Sequence, residues 1–326
     1  MRFFKKTMFW IIIMAVIGGS FYLIDRGAEE KKVIVEEKKR LFPFEPNDIA
    51  EFQIIRGSEN IVLRKEGSDW HMESPLRAMG DKDAIQKLLD GVIKAKIDGI
   101  LFENQPQEKL KEMGIIDSPT SLTATFRTSA PIVKTITFGD RNPGMNLGFA
   151  ILKDDPRIFR LTADIKAEAD KTVFDLRDKT AINFAPLKIK GFEIKWQDSA
   201  AIAVEHPAEG KWHIVKPKNL IASSNKATEL LYKIKDSKIK AFADEEPKDL
   251  SVYGLNKPRL SIKITDEKGS RLELIVGERD KKQRGLFAKR TDAKNVFVLE
   301  EDFILGMPKN AEDLEEKKDD KTTKNR

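Results

Sequence analysis

Histidine is the side chain in this sequence best suited to metal binding or proton transfer. The chain has only three, His71, His206 and His213. No pair of them has the His-x-x-x-His or His-x-x-Glu-His spacing that places zinc ligands on one helix face. His71 and His213 stand at equivalent points of an internal repeat, a whole repeat apart. We interpret them as solvent-facing strand residues and predict no catalytic or metal-binding role for them.

An acidic cluster at Asp81 and Asp83 looks like part of a carboxylate metal loop. The second copy of the repeat has Ser223 and Asn225 at these places. Aspartate and serine share the ability to accept a backbone N–H bond at a helix N-terminus, so capping accounts for both copies.

Two further loops have residue types that bind ions. Asp154 and Asp155 precede Pro156, which is typical of a turn between strands. The stretch from Gly139 to Gly144 could offer backbone N–H groups to a phosphate. It lacks the Gly-Lys-Ser/Thr ending of a nucleotide-binding loop, and a strand rather than a helix is predicted to follow it. We predict a connecting turn there.

Nucleophilic catalysis has no sequence signature in this chain. The members of a Ser–His–Asp triad need not be close in sequence, so a triad stays open, but no nucleophile-elbow motif supports one. The absence of cysteine excludes a disulfide framework, a cysteine-ligated zinc site, a thiol nucleophile and a lipoprotein anchor. We predict no catalytic, metal-binding or cofactor-binding residue, and therefore a protein that is not an enzyme; the binding residues stay unassigned.

The elements that carry these residues occur twice. Each copy has two short strands and then a tryptophan, a histidine and a proline at fixed spacing. These are Trp70, His71 and Pro75 in the first copy, and Trp212, His213 and Pro217 in the second. Because neighbouring strand residues point to opposite faces, the tryptophans are predicted to face the core and the histidines to face away. Buried tryptophans would not be platforms for sugar stacking.

A helix follows in each copy, and then a series of strands. Apolar residues recur at helical spacing: Ile85, Leu88, Leu89 and Val92 in the first copy, and Ala227, Leu230, Leu231 and Ile234 in the second. Gly114 and Gly254 then suit helix C-caps with positive φ. Short turns between the later strands favour antiparallel pairing. We predict an α+β fold of two tandem repeats, each a mostly antiparallel sheet with packed helices, over residues 44–180 and 181–308, with a hinge in 178–186.

The N-terminus carries one long apolar run. Residues 1–7 include three basic side chains, and residues 8–24 are uncharged. As a helix this run would span roughly 26 Å, close to the thickness of a bilayer core. A signal peptide cleaved near Gly18 and Ser20 is the alternative. The apolar run continues past that point, which favours a retained transmembrane signal anchor with a cytoplasmic N-terminus and the bulk of the chain outside.

Charged segments flank the repeats. Residues 25–43 are predicted to be a charged juxtamembrane stalk, and residues 309–326 a disordered charged tail. The 59 basic and 53 acidic residues give a formal net charge of +6, but the two signs are interspersed. Nucleic-acid binding calls for a clustered basic face with stacking aromatics, so we predict none.

The repeat contains several short motifs in a fixed order. Tyr253, Gly254, Leu255 and Pro258 follow the tryptophan and its helix, and a strand ending in Val276, Gly277 and Glu278 comes next. The first copy ends in Phe174, Asp175, Leu176, Arg177, Asp178 and Lys179. This pattern resembles a bacterial family known only as a domain of unknown function (number four-three-four-zero, read digit by digit). The first copy departs from it, with Met113, Gly114 and Ile115 where the family has Tyr-Gly-Leu.

The resemblance implies a membrane-anchored extracytoplasmic protein, often encoded beside components of gliding-motility-like ABC transporters. It brings no catalytic residues. We therefore expect a single-pass inner-membrane protein with its bulk in the periplasm, acting as an accessory or scaffold protein of an ABC transporter permease or another envelope complex. The alternative is a module that binds, or less plausibly hydrolyses, an envelope polysaccharide or lipid.

Overall fold

The computed structural model describes residues 39–142, 144, 146–162, 164–207 and 210–317. They divide into two compact units at the peptide between Asp178 and Lys179. Among the described residues, none of the helices is long and apolar enough to cross a membrane. The anchor predicted at 8–24 lies outside the described residues, as does most of the predicted stalk.

The first unit is one antiparallel sheet with helices. A 3-10 turn at Pro46–Asp48 leads into the sheet, and the elements then follow in this order: β1 (Ile49–Arg56), β2 (Glu59–Glu66), β3 (Asp69–Ser74), β4 (Ala78–Met79), α1 (Lys82–Ile93), β5 (Gly99–Phe102), α2 (Gln107–Glu112), β6 (Leu122–Thr128), β7 (Val133–Asn142), β8 (Leu147–Leu152), β9 (Ile158–Thr162), α3 (Asp164–Ala169) and α4 (Val173–Leu176). The strand order across the sheet is β4-β3-β2-β1-β6-β7-β8-β9-β5.

The second unit repeats this plan. After a 3-10 turn at Pro186–Lys188 come β10 (Ile189–Trp196), β11 (Ile202–Glu205), β12 (His213–Lys216), β13 (Leu220–Ile221), α5 (Ser224–Lys235), β14 (Ala241–Asp244), a 3-10 turn (Leu250–Tyr253), β15 (Leu260–Asp266), β16 (Arg271–Asp280), β17 (Gly285–Arg290), β18 (Val296–Glu300) and 3-10 turns at Glu301–Gly306 and Ala311–Asp313. Its strand order, β13-β12-β11-β10-β15-β16-β17-β18-β14, is the same. The predicted α+β fold of two tandem antiparallel repeats is confirmed.

Each core lies between one face of its sheet and the helices, which form the helical layer. Phe52 and Ile54 of β1 face this core, and Phe192 and Ile194 do so in β10. The predicted apolar faces of α1 and α5 are buried against them. Alternation along a strand buries every second side chain, so the other face of each sheet, here called the open face, is polar.

The predicted caps and core tryptophans are confirmed. Asp81 accepts a hydrogen bond from the Ala84 N–H at 3.1 Å, and Ser223 accepts one from the Lys226 N–H at 3.5 Å. Trp70 and Trp212 are about 95% buried. Their rings contact Phe52 and Phe192 with centroids 5.4 and 5.7 Å apart.

One glycine contact explains the Val-Gly-Glu motif. Gly139 of β7 and Gly277 of β16 lie directly beneath the turn that ends at Gly114 or Gly254, where φ is +61° and +68°. A Cβ on Gly139 would overlap the Met113 carbonyl oxygen, and one on Gly277 would overlap that of Tyr253. Only glycine permits this approach of strand and turn.

The predicted tail is wrong for its described part. Residues 309–317 fold onto the second unit, with Ala311 and Leu314 buried. The Ser223 N–H donates to the Leu314 carbonyl at 2.8 Å, just as the Asp81 N–H donates to that of Leu176. Leu314 is buried although its sequence neighbours are charged, because the backbone around it pairs with the edge strand.

Two other boundaries also need correction. Leu41 and Phe42, placed in the predicted stalk, are core residues of the first unit, and the Leu41 N–H donates to the Ala95 carbonyl at 3.2 Å. Ala181 and Ile182, placed in the predicted hinge, are core residues of the second unit. The repeats therefore run over residues 39–178 and 179–317, with the hinge region packed as the first segment of the second repeat.

Candidate functional site

The three histidines do not come together. The Nε2 atom of His71 lies 3.8 Å from a Glu66 carboxylate oxygen, and the His206 ring stacks on Trp212 with centroids 4.6 Å apart. His213 pairs with Glu205 and Ile221 in the sheet. Across the described ranges, no group of three or more histidines and acidic residues could hold a metal ion.

The other candidate residues have local structural roles. Asp155 lies in a turn, where its carboxylate accepts hydrogen bonds from the Nε and Nη2 atoms of Arg157 at 2.8 and 2.6 Å. This arginine lowers the pKa of Asp155. Gly139 lies in a strand instead of the expected loop, because β7 continues to Asn142. The turn is therefore shorter than the glycine pattern suggested.

Lys166 is a polar residue that sequence analysis did not single out. Its Nζ atom donates to the carbonyl oxygens of Thr120 and Gly139 at 2.6 and 2.7 Å. Burial lowers its pKa, while the carboxylates of Asp140 and Asp170 act in the opposite direction. The lysine joins α3 to the loop before β6 and to β7. Its contacts are those of a structural brace.

The open faces of the two sheets differ, and this difference defines the candidate site. In the first unit Glu51 stands at the centre of the open face. Its carboxylate lies 2.8 Å from Nη2 of Arg64 and 3.0 Å from Nε of Arg127, on the strands to either side. The strand register places these three residues side by side. Together they fill this part of the face.

The second unit has a groove at the same place. The residues equivalent to Glu51, Arg64 and Arg127 are Gly191, Glu205 and Thr265, aligned by the same register. All three line an open groove of about 960 Å³. Glycine, a single acid and threonine stand where the first unit has a large ion-paired cluster. Gly191 itself is buried, and the space above it belongs to the groove.

A row of charges borders the groove. The Glu193 carboxylate lies 3.8 Å from the Lys216 ammonium and 3.7 Å from that of Lys263, and Lys263 lies 4.0 Å from Glu273. A Ser261 hydroxyl donates to Glu273 at 2.8 Å. The equivalent residues of the first unit, Gln53, Ser74, Thr125 and Thr135, are uncharged. Two of them, Thr125 and Thr135, have hydroxyl oxygens 3.0 Å apart.

The groove therefore combines a floor without a side chain at Gly191 with walls that carry side chains of both signs. Such a lining can bind a polar polypeptide segment through hydrogen bonds and complementary charges, which give specificity more than raw affinity. Comparing the two copies strand by strand could have found this site from the sequence. Its signal is the change from Glu51 to Gly191 between residues that are otherwise equivalent.

The chain belongs to the family described as "Domain of unknown function (DUF4340)", which matches residues 70–211 and 212–318. No curated protein and no solved structure matches the chain.

The boundaries of the two family matches do not coincide with the boundaries of the two structural units. Each match begins at or next to the repeated tryptophan, so the first one crosses the boundary between Asp178 and Lys179 and includes β10 and β11 of the second unit. The second match ends at residue 318 and includes residues 309–318 of the predicted tail.

Proposed function

We propose that this protein is a membrane-anchored, extracytoplasmic accessory or scaffold protein of an envelope complex, with an ABC transporter permease as the candidate partner. The predicted anchor at residues 8–24 supports the location. The family resemblance supports the partner class. The groove on the open face of the second unit supports a binding role, and it is the observation that carries the proposal.

The pattern of divergence between the two copies favours binding over a purely architectural role. Residues that recur in both units serve packing, caps and strand pairing, as with Trp70 and Trp212 or Gly139 and Gly277. On the open face the copies have exchanged a filled, ion-paired surface for a groove. A spacer would need the packing residues only, whereas a partner surface needs one copy to become different.

The partner is proposed to be a protein segment. The groove offers side chains of both signs and, at Glu205, a carboxylate that has no ion pair among the described residues. The tryptophans that a polysaccharide-binding role would use for stacking are buried in the cores. This arrangement favours a polypeptide over a sugar.

The test is capture of the tagged full-length protein from membranes in mild detergent. The key variant transplants the filled face of the first unit into the second, as Gly191→Glu, Glu205→Arg and Thr265→Arg. It should lower recovery of the membrane partner at least tenfold. A Cβ at residue 191 would lie 2.9 Å from the Val204 carbonyl oxygen, so β11 must shift to admit the glutamate. The double variant Glu205→Arg with Thr265→Arg, which leaves Gly191 in place, is therefore the second test and should also lower recovery.

The matched control is Arg127→Thr, which changes the open face of the first unit only and should leave recovery unchanged. Equal recovery with the wild type and the transplant would refute the groove as the site. Failure to recover any membrane protein with the wild type would refute the accessory role itself.

A further inference from the structure

The helical layer of the second unit exposes apolar side chains at three positions where the first unit is polar or small. Leu187 and Leu305 are 82% and 81% exposed, and Tyr232 is 40% exposed. The leucines are the two most exposed large apolar side chains among the described residues. The equivalent residues of the first unit are Asn47, Asp90 and Ala167.

These three residues lie on neighbouring elements. Leu187 is in the 3-10 turn that precedes β10, and this turn packs against α5. Tyr232 is on α5 itself, and Leu305 is in the 3-10 turn after β18. That turn also lies against α5, since Gly306 contacts the Lys233 ammonium group. The three apolar groups therefore lie on α5 and on two turns that contact it.

Side chains of both signs surround these apolar groups, with Glu229 and Asp313 near Leu305 and lysines in excess on α5. Helix α5 has three lysines and one glutamate, whereas α1 has two lysines and two aspartates. Lys188 follows Leu187 directly, and neither Lys188 nor Lys233 has an ion pair among the described residues. With three lysines against one glutamate, α5 has a net charge of +2, whereas α1, with two residues of each sign, has a net charge of zero.

We propose that the helical layer of the second unit rests on an anionic lipid surface. Leu187 and Leu305 would enter the headgroup region, and Lys188 and Lys233 would lie over lipid phosphates. Apolar side chains beside lysines are the combination that binds anionic bilayers, since the apolar groups leave water while the amines stay at the phosphates.

The shape of the surface favours a bilayer over a partner helix. A partner helix needs a groove that encloses its apolar residues. Here the leucines are more than four-fifths exposed and protrude from the layer. The open cavity of about 490 Å³ beside Leu305 is bordered by charged side chains, among them Lys226, Glu229 and Asp313, and does not form an apolar groove. A soft lipid surface accommodates separate protrusions without a complementary pocket.

This proposal is independent of the groove, which lies on the opposite face of the same sheet. Gly191 and Glu193 of β10 line the groove, while the side chains of the alternating residues Phe192 and Ile194 pack into the core. The two surfaces can therefore be tested separately.

The chain has no cysteine, so one introduced cysteine is a unique labelling site. We would label Leu305→Cys with a polarity-sensitive fluorophore in the full-length protein, reconstituted in nanodiscs of phosphatidylcholine with or without phosphatidylglycerol. Ala167→Cys, at the equivalent position of the first unit, is the matched control. The label at 305 should shift to shorter wavelength with phosphatidylglycerol only, and the label at 167 should not respond.

Adding Lys188→Glu and Lys233→Glu should reduce the bound fraction reported at 305 about tenfold, and high salt should do the same because the charges are exposed. An emission at 305 that is the same in both lipid mixtures would overturn the proposal. So would an equal shift at 167, or a shift that needs another membrane protein in the nanodisc, which would identify a protein partner instead.

Discussion

The side chain of Glu168 packs directly against Gly91 in the first unit, where a Cβ on residue 91 would come within 2.9 Å of the Glu168 Cγ atom. The second unit has the equivalent contact, but there the large side chain is on the helix and the glycine is on the element after the last long strand. Lys233 stands at the position of Gly91, and Gly306 at that of Glu168. Each copy keeps one large and one small residue where its helix meets the element after the last long strand. The exchange replaces an acid by a base in the helical layer.

From this contact and the one at the Val-Gly-Glu motif, we expect the second unit to tolerate alanine at Gly306 but not at Gly277. Gly277→Ala should lower the free energy of unfolding by about 1–3 kcal/mol, because its Cβ would overlap a backbone carbonyl that cannot move away. Gly306→Ala should cost less than about 1 kcal/mol, because its Cβ would meet only the flexible end of Lys233. Peptide-resolved hydrogen exchange in the second unit measures both; equal costs would contradict this reading of the contacts.

The segment after residue 308 should prove part of the folded unit. Leu314→Ala should lower the stability of the second unit by about 2–5 kcal/mol, since its side chain is buried in the core. Leu305→Ala, nine residues earlier, should change it by less than about 0.5 kcal/mol because that side chain is exposed. Urea unfolding followed by hydrogen exchange compares them. Similar losses of stability for the two variants would support a disordered tail instead.

The predictable and unpredictable parts of this fold have different physical origins. The repeats, the helix faces and the caps at Asp81 and Ser223 follow from residue spacing, because periodicity and capping act locally. The true ends of the units do not follow. Leu41 and Leu314 each lie in charged surroundings, and they are buried only because the backbone around them pairs with a distant strand.

The candidate site was not predicted from the motifs for a related reason. Glu51, Arg64 and Arg127 belong to three separate strands, so their contact depends on strand register, which is a property of the folded sheet. The sequence does show that Phe174, Asp175 and Leu176 align with Glu312, Asp313 and Leu314. That alignment, extended through the whole repeat, would have corrected the tail and pointed to Gly191.

Asp155 should make stability depend on acid pH. Its pKa is lowered by the hydrogen bonds from Arg157, so the carboxylate is more favourable in the folded state than in the unfolded state. Its contribution is therefore fully present above the ordinary aspartate pKa of about 3.9 and is lost as pH falls through the lowered value. Asp155→Asn should destabilise the first unit by roughly 1 kcal/mol at neutral pH, because the pair is partly exposed.

The difference between the Asp155→Asn variant and the wild type should shrink as the solution is made acidic. Asp154→Asn is the control, since the neighbouring carboxylate is exposed and lies 3.7 Å from its nearest cation, Lys134. Denaturant titrations at neutral and at acid pH would decide between them. A penalty for Asp155→Asn that stays constant with pH would rule out the ion pair as its source.

The caps should differ in strength between the copies. Asp81→Ala should cost about 1–2 kcal/mol, because a charged oxygen accepts at 3.1 Å next to the positive end of the helix dipole. Ser223→Ala should cost less, about 0.5–1 kcal/mol, because the hydroxyl accepts at 3.5 Å. Protection of the first-turn amides of α1 and α5 reports each loss. A larger loss at α5 than at α1 would contradict the ranking.

The junction between the units has a consequence for how such chains grow. The Asp178 N–H donates a hydrogen bond to the Met79 carbonyl within the first unit. The carbonyl of the next residue, Lys179, accepts one from the Ile239 N–H within the second unit. Lys317 follows the second unit just as Lys179 follows the last residue of the first unit. A duplication with its ends at this peptide would copy a unit whose first and last segments both pair with strands or loops of that same unit. A longer array could arise by in-frame recombination alone, without the invention of a spacer.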